Sequence, residues 1–427
     1  TDAAGPAPLY NRAMTTALVP TDPFTATAPG ARHAAYAALA AAGPVHRIAL
    51  PDGTPVWMVT GHDEVRALFT DPRLVKAAPR PAGPADVGLP PDVDAAMNTD
   101  LLHLDPPDHT RLRRLVSAAF TRRRVEELAP RVQQVTDELL DGLGGADGTA
   151  DQVDLIGAFA YPLPITVICE LLGVPADGRE PFRDWSTTIV TGSLAAPEAW
   201  AAAATAMIGY VRELLAAKRA RPTDDLLSAL VAIRDGADRL SEDELTSMVF
   251  LLLVAGHETT VNLIGNGVHA LLTHPDQLAL LRAEPERLPA AVEELLRFDG
   301  PLQMATFRWT TAPVEIGGTV IPAGEMVIPG LLAANRDPAR ITDPDVLDLT
   351  RADSAHLAFG LGVHHCLGAP LARLEGRIAL GSLLGRFPRL RLAVPSDELV
   401  WRPGVLMHGL ATLPVVLDDR EDADLRA

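Results

Sequence analysis

The chain has 427 residues, 48% of them hydrophobic and 22% charged, so it can bury a large core. A balance of 37 basic against 55 acidic side chains, formally −18, argues against bulk nucleic-acid or bilayer binding. Two cysteines, Cys169 and Cys366, exclude a disulfide framework and fit a reducing cytoplasm; Thr1 to Pro29 shows no secretory pattern, and the apolar run Met248–Gly256 falls short of the ~20 residues of a membrane span.

Residues 1–30, rich in Pro, Ala and Thr, read as an extended arm. Val45–Ile48 and Pro55–Thr60 read as two strands joined by the turn Pro51-Asp52-Gly53. The density of proline and glycine from Ala77 to Pro91 predicts a long irregular loop. After Pro106-Pro107 a helix begins, and His109 and Arg113, four apart, share one of its faces. Six arginines and no acid lie between Arg111 and Arg124, a positive patch on an acidic chain. Helical periodicity covers Val125 to Leu143 and Asp154 to Leu172, with Cys169 in the core. Two more helices are expected from Arg179 to Lys218, joined near Gly192–Pro197.

Ser241 and Glu244 form a capping box, and helical pattern then runs without proline to Pro275, roughly 50 Å at 1.5 Å per residue. Its middle reads Ala255-Gly256-His257-Glu258-Thr259-Thr260. A carboxylate and a hydroxyl buried there cost stability unless hydrogen-bonded, and Thr259 can bond back to the Ala255 carbonyl and bend the helix. His257-Glu258 does not begin a zinc-protease motif, because Val261 stands where the second histidine belongs. Glu294 and Arg297 form an i,i+3 ion pair on the next helix. Leu302–Arg308, Val314–Gly317, Thr319–Ile321 and Val327–Ile328 suggest a small sheet with Gly317-Gly318 as a tight turn, and Leu390–Val394 and Leu410–Leu417 two further strands. Residues from Asp418 onward form an acidic, solvated tail.

The stretch Phe359-Gly360-Leu361-Gly362-Val363-His364-His365-Cys366-Leu367-Gly368 places a cysteine before a helix that carries Pro370 in its first turn. Dipoles and free N–H groups at that terminus favour an anion, so Cys366 reads as a thiolate metal ligand. A dinucleotide loop fails here because His365 occupies the third glycine position, and zinc fails because no second Cys/His pair exists.

The loop resembles the cysteine-ligand loop of the cytochrome P-450 family, Phe-x-x-Gly-x-x-x-Cys-x-Gly, at every fixed position. The mid-helix stretch meets that family's Ala/Gly-Gly-x-Asp/Glu-Thr pattern, and Glu294-x-x-Arg297 follows in family order. The resemblance, of the soluble actinobacterial type, implies a mainly α fold with a minor β region and haem b between the long kinked helix and the cysteine loop. Residues 31–417 would then form one haem-binding domain. It implies Cys366 as axial iron ligand, Phe359 near the sulfur, Gly360 and Gly368 in the haem-carrying loop, and His109, Arg113, Arg308 and His364 at the haem propionates. Gly256 would leave room for water or dioxygen, Thr259 would hydrogen-bond oxygen and Glu258 would relay protons.

Further implications concern partners. Arg114, Arg122 and Arg123 would receive a ferredoxin, itself reduced by a ferredoxin reductase, while Met97, Val254, Ala255, Gln303, Met304 and Met407 would face a hydrophobic small-molecule substrate such as a macrolide, terpenoid or steroid. Glu294 and Arg297 would be structural. The family's Arg-Phe after Pro-Asp is replaced by Val346-Leu347, so the third member of that ion network is expected to be missing. The function implied is a cytoplasmic, monomeric monooxygenase that uses O2 to hydroxylate or epoxidise natural products. A peroxide-driven peroxygenase and a catalytically idle docking scaffold are the alternatives; the acid–alcohol pair speaks against the first and Cys366 against the second.

Overall fold

The computed structural model describes residues 22–77, 89–119, 121–143, 152–175, 179–192, 196–235 and 240–417. The chain before residue 22, the loop segment 78–88, the tail from 418 and the side chain of Arg122 lie outside the described residues.

In chain order the elements are α1 (Ala31–Ala42), β1 (Val45–Ala49), β2 (Pro55–Val59), α2 (His62–Thr70), β3 (Leu74–Val75), α3 (Pro91–Asn98), α4 (Asp108–Ala119), α5 (Arg122–Glu127), α6 (Ala129–Leu143), β4 (Val153–Asp154), α7 (Pro162–Leu172), α8 (Arg179–Thr191), α9 (Pro197–Ala220), α10 (Leu226–Asp235), α11 (Glu242–Thr273), α12 (Pro275–Ala283) and α13 (Leu288–Phe298). Then follow β5 (Arg308–Thr310), β6 (Val314–Ile316), β7 (Thr319–Ile321), β8 (Met326–Pro329), α14 (Leu331–Ala334), α15 (Ala369–Arg386), β9 (Arg391–Leu392) and β10 (Pro414–Val416).

Helices dominate and α11 is their axis. Ser241 accepts from the Glu244 amide while Glu244 reaches back to the Ser241 amide, so the capping box closes in full. The 32 residues that follow run to Thr273, where Pro275 opens the next helix. By length and composition α11 could cross a membrane, yet 67% of its apolar window is buried inside the fold against α3, α7, α9, α13 and α15. This is a core helix whose apolar character exceeds what its longest unbroken run suggested.

The β region is a five-stranded sheet of order β1-β2-β8-β5-β3, in which β2 and β8 alone pair parallel. β6 and β7 form a separate hairpin, turned by Gly317 and Gly318 at φ 52° and 75°, the positive values a two-residue turn requires. The third sheet, β4-β10-β9, closes the far end.

Several sequence expectations shift. Residues 22–30 are not an extended arm: Phe24 is buried, and the Phe24 and Thr27 carbonyls accept from Gly404 and Trp401. The helix expected over 125–143 breaks at Leu128 into α5 and α6. That over 154–172 starts late, because Asp154 sits in β4 and its carboxylate takes the amides of Ile156, Gly157 and Leu413; a π-helical turn, Ile156–Ala160, then leads into Pro162. Of Leu302–Arg308, only Leu302, bridged to Met407, and Arg308, which opens β5, pair with strands.

Candidate active site

The loop before α15 is shaped by its glycines. Gly360 and Gly362 hold φ of 67° and 74°, and a Cβ on Gly362 would lie 2.9 Å from the Phe69 carbonyl oxygen. The Cys366 amide donates to the Phe359 carbonyl at 2.9 Å, which folds the loop back under the cysteine. The amides of Gly368 and Ala369, at the start of α15, point at the sulfur. Cys366 is exposed, yet nearby protein atoms crowd the thiol and raise its pKa, against the lowering influence of the two amides, Arg113 and Arg373. Phe359 lies under the Arg373 guanidinium, 4.4 Å from the ring centroid, and Glu293 holds Arg373 through two bonds of 2.7 and 2.8 Å.

Beside this loop lies a cluster of donors. His109 on α4 is buried and neither ring nitrogen has a partner. Its ring meets that of His364 at 4.4 Å, and His364 is fixed through Nδ1 to the Leu101 carbonyl at 3.1 Å. Burial, with His109, Lys76 and Arg308 nearby, pushes His364 down to about 4. Arg308 is buried over the Phe69 ring at 4.7 Å, its pKa lowered to about 10 by burial. Arg113 and Cys366 lie close enough for each charge to act on the other. Asp105 is the carboxylate that faces this group, and its Oδ2 is already taken by the amides of Lys76 and Ala77. A cluster so rich in cations and unpaired donors is built to receive an anion.

The middle of α11 supplies the third part. Between buried turns, Ala255 is exposed and Thr259 half-buried, so one side of this stretch is left uncovered by the fold. Thr259 Oγ donates to the Ala255 carbonyl at 3.1 Å, the back-bond expected from the sequence. Gly256 does not face open space: a Cβ there would lie 3.0 Å from Ile168 of α7, so its small size serves close helix packing. Glu258 is 1% exposed. Its Oε2 accepts from Arg402 at 3.3 Å, and its Oε1 has no hydrogen-bond partner, with His257 Nε2 at 3.7 Å. His257 in turn donates through Nδ1 to the Leu253 carbonyl and meets Ser186 of α8 at 3.1 Å.

A family model described as Cytochrome P450 matches residues 195–408, and cytochrome P450 107B1 of Saccharopolyspora erythraea is 52% identical over 389 residues, 90% of this chain and 94% of that protein. The chain belongs to the cytochrome P450 family. This P450 is also similar to the monooxygenase PikC of Streptomyces venezuelae, at 50% identity over 89% of either chain. Among solved structures, the tirandamycin C-bound P450 monooxygenase TamI superposes with a TM-score of 0.82 at 48% identity, covering 90% of this chain and 97% of that one. The protein is thus an oxidoreductase that incorporates oxygen from O2 into a small molecule, with a haem-thiolate cofactor. The donor set fits such a group. One soft sulfur suits iron, and the orphaned His109 nitrogens and buried cations suit the carboxylates of a porphyrin.

The other residues singled out from the sequence fall into two groups. Met97, Val254 and Ala255 lie on α3 and α11, which pack together, and Met407 bridges to Leu302. Gln303 and Met304 are fully buried. The Gln303 amide is tied to Tyr36 and the Gly404 carbonyl, and Met304 packs among Phe24, Tyr36, Met58 and Ile328 on the α1 side. Arg123 is exposed and pairs loosely with Glu127 at 3.5 Å; Arg114 is exposed, and Arg111 is drawn away to Glu244.

The ion network around Glu294 is complete, contrary to expectation. Arg297 holds Glu294 at 2.7 and 2.8 Å and also donates to the carbonyls of Asn335, Pro344 and Val346, while Arg351 supplies the third member at 3.2 Å. That arginine lies seven residues past Pro344 and not beside Pro344-Asp345, where the family pattern puts it. Arg402 is likewise distant from Glu258 in the chain, and nothing local marks it as the partner.

Proposed function

We propose that Cys366 binds the iron of haem b, that Glu258 and Thr259 deliver protons on the opposite side, and that the substrate is a hydrophobic natural product of the polyketide class. The single observation that carries this reading is Cys366, with two backbone amides aimed at its sulfur and Arg113 beside it, next to a cluster in which cations and unpaired donors outnumber the one facing acid, Asp105. When bound, the haem supplies dioxygen activation by electrons taken one at a time.

The chain's own residues have distinct tasks. His109, Arg113, Arg308 and His364 would hold the propionates, and Gly360, Gly362 and Gly368 shape the loop that carries Cys366. Thr259 can release the Ala255 carbonyl and offer its hydroxyl on the uncovered side of α11. Glu258 can hold a proton at Oε1, the oxygen left unbonded, while Arg402 fixes Oε2. Met97, Val254, Ala255 and Met407 are proposed to touch substrate.

The relatives support the substrate class: 6-deoxyerythronolide B hydroxylase and mycinamicin IV hydroxylase/epoxidase are 47% and 43% identical. Electrons are proposed to come from a ferredoxin that docks by Arg114, Arg122 and Arg123, with the enzyme a cytoplasmic monomer. The test is the spectrum of reduced holoprotein under carbon monoxide. The native protein is expected to show the thiolate-type band and Cys366→His to lose it; a thiolate-type band that survives the substitution overturns the reading.

A further inference from the structure

Lys76 lies just beyond β3. It is half-buried, although lysine is among the residues least often drawn inside without a charged partner. Its Nζ donates to the Thr306 carbonyl at 3.0 Å, to the Thr306 hydroxyl and to the Phe307 carbonyl at 2.8 Å, all neutral oxygens. Arg308 Nη1 donates to that same Thr306 carbonyl at 3.3 Å. A half-buried cation and a buried one thus share one carbonyl acceptor, and desolvation lowers the pKa of each.

The surrounding charges relieve this crowding only in part. His364 and His109 add donors from the cysteine loop and α4, and Arg113 adds a further cation. Asp105 is the acid beside them and acts on both charged heads through space, but its Oδ2 is hydrogen-bonded to the amides of Lys76 and Ala77. Like charges held together away from water destabilise one another unless an anion joins them.

We propose that Lys76 and Arg308, bridged by the Thr306 carbonyl, form a paired-cation seat for one haem carboxylate, with Lys76 a cofactor-positioning residue contributed by the segment after β3. This rests on the haem reading and deepens it. Binding one carboxylate there would offset the mutual repulsion of the two cations and tie the β3 end of the sheet to the cofactor. A lysine that merely tethers residues 306 and 307 would do neither.

The experiment separates these roles by the ligand. Holoprotein is reconstituted with iron protoporphyrin IX or with its dimethyl ester, in which both carboxylates are neutral, and the rate of porphyrin loss to excess apomyoglobin is measured for native chain, Lys76→Gln and Lys76→Arg. Loss of one charged contact predicts release of the free-acid haem by Lys76→Gln roughly tenfold faster. With the diester the Lys76→Gln and native rates should coincide, and Lys76→Arg should stay near native with both. An equal acceleration with acid and ester would assign Lys76 to the tether and overturn the seat, and so would unchanged rates with both. Failure of the haem reading itself would show separately, as a native chain that takes up neither porphyrin with a thiolate-type spectrum.

Discussion

Glu294 and Glu258 are both 1% exposed and both answer to an arginine, yet the two carboxylates are held in opposite ways. Glu294 accepts two short bonds from Arg297, one from Arg351 and one from the Asp348 amide at 3.1 Å, so both of its oxygens are occupied. Glu258 has one long contact, to a half-exposed Arg402, and a free oxygen. A fully paired carboxylate has nowhere to put a proton and serves as a fixed brace. Glu258, proposed above as the proton relay, keeps one oxygen open. Burial is the same for the two acids, so pairing and not burial is what distinguishes them.

The contrast can be broken most severely at the brace. Arg297→Ala strips buried Glu294 of its main partner and leaves the Asn335 and Pro344 carbonyls without this donor, and should cost about 3–5 kcal/mol in urea unfolding. A loss under ~1 kcal/mol would mean the network is not the brace its geometry indicates.

Glu375 on α15 extends the series, because neither of its oxygens has a partner, and burial raises its pKa from 4.5 to about 8. With the folded value above the unfolded one, the neutral acid's contribution is intact below pH 4.5 and is lost as pH climbs through about 8. Glu375→Gln should therefore match the native Tm at pH 4.5 and exceed it at pH 8.5, by the equivalent of a few kcal/mol. Parallel pH profiles for the two proteins would show that Glu375 is already paired in solution.

Glu258→Gln should barely move stability, by less than ~1 kcal/mol, yet cut turnover by about a hundredfold and enlarge the solvent isotope effect. Glu294→Gln should reverse that ordering, with stability lost and the isotope effect unmoved. The smallest effect belongs to the surface: Arg123→Ala should change stability by under ~0.5 kcal/mol, while raising the KM for a reduced ferredoxin. An unchanged KM would remove Arg123 from the docking surface.

Much of the site could be read from residue order, because each of its parts is local. The glycines around Cys366 are needed for a backbone path that only a few neighbours set, and the Thr259 back-bond spans four residues of one helix. The capping box at Ser241 is equally local and closed as expected. What could not be read were the long-range partners. Arg402 reaches Glu258 across 144 residues, and the amide of Gln303 turns inward to Gly404 because a loop from the C-terminal region passes there.

The helical class, the cysteine loop, the acid–alcohol stretch and the family they resemble follow from residue order, since each is written in spacings of a few residues. Which buried charges are paired and which stay open is settled by the folded chain. Arg351 completes one network, Lys76 and Arg308 crowd into another, and Glu258 keeps a free oxygen. Electrostatic energy inside a protein depends on distances between groups far apart in the chain and on how much water reaches them, and neither quantity exists until the chain has folded.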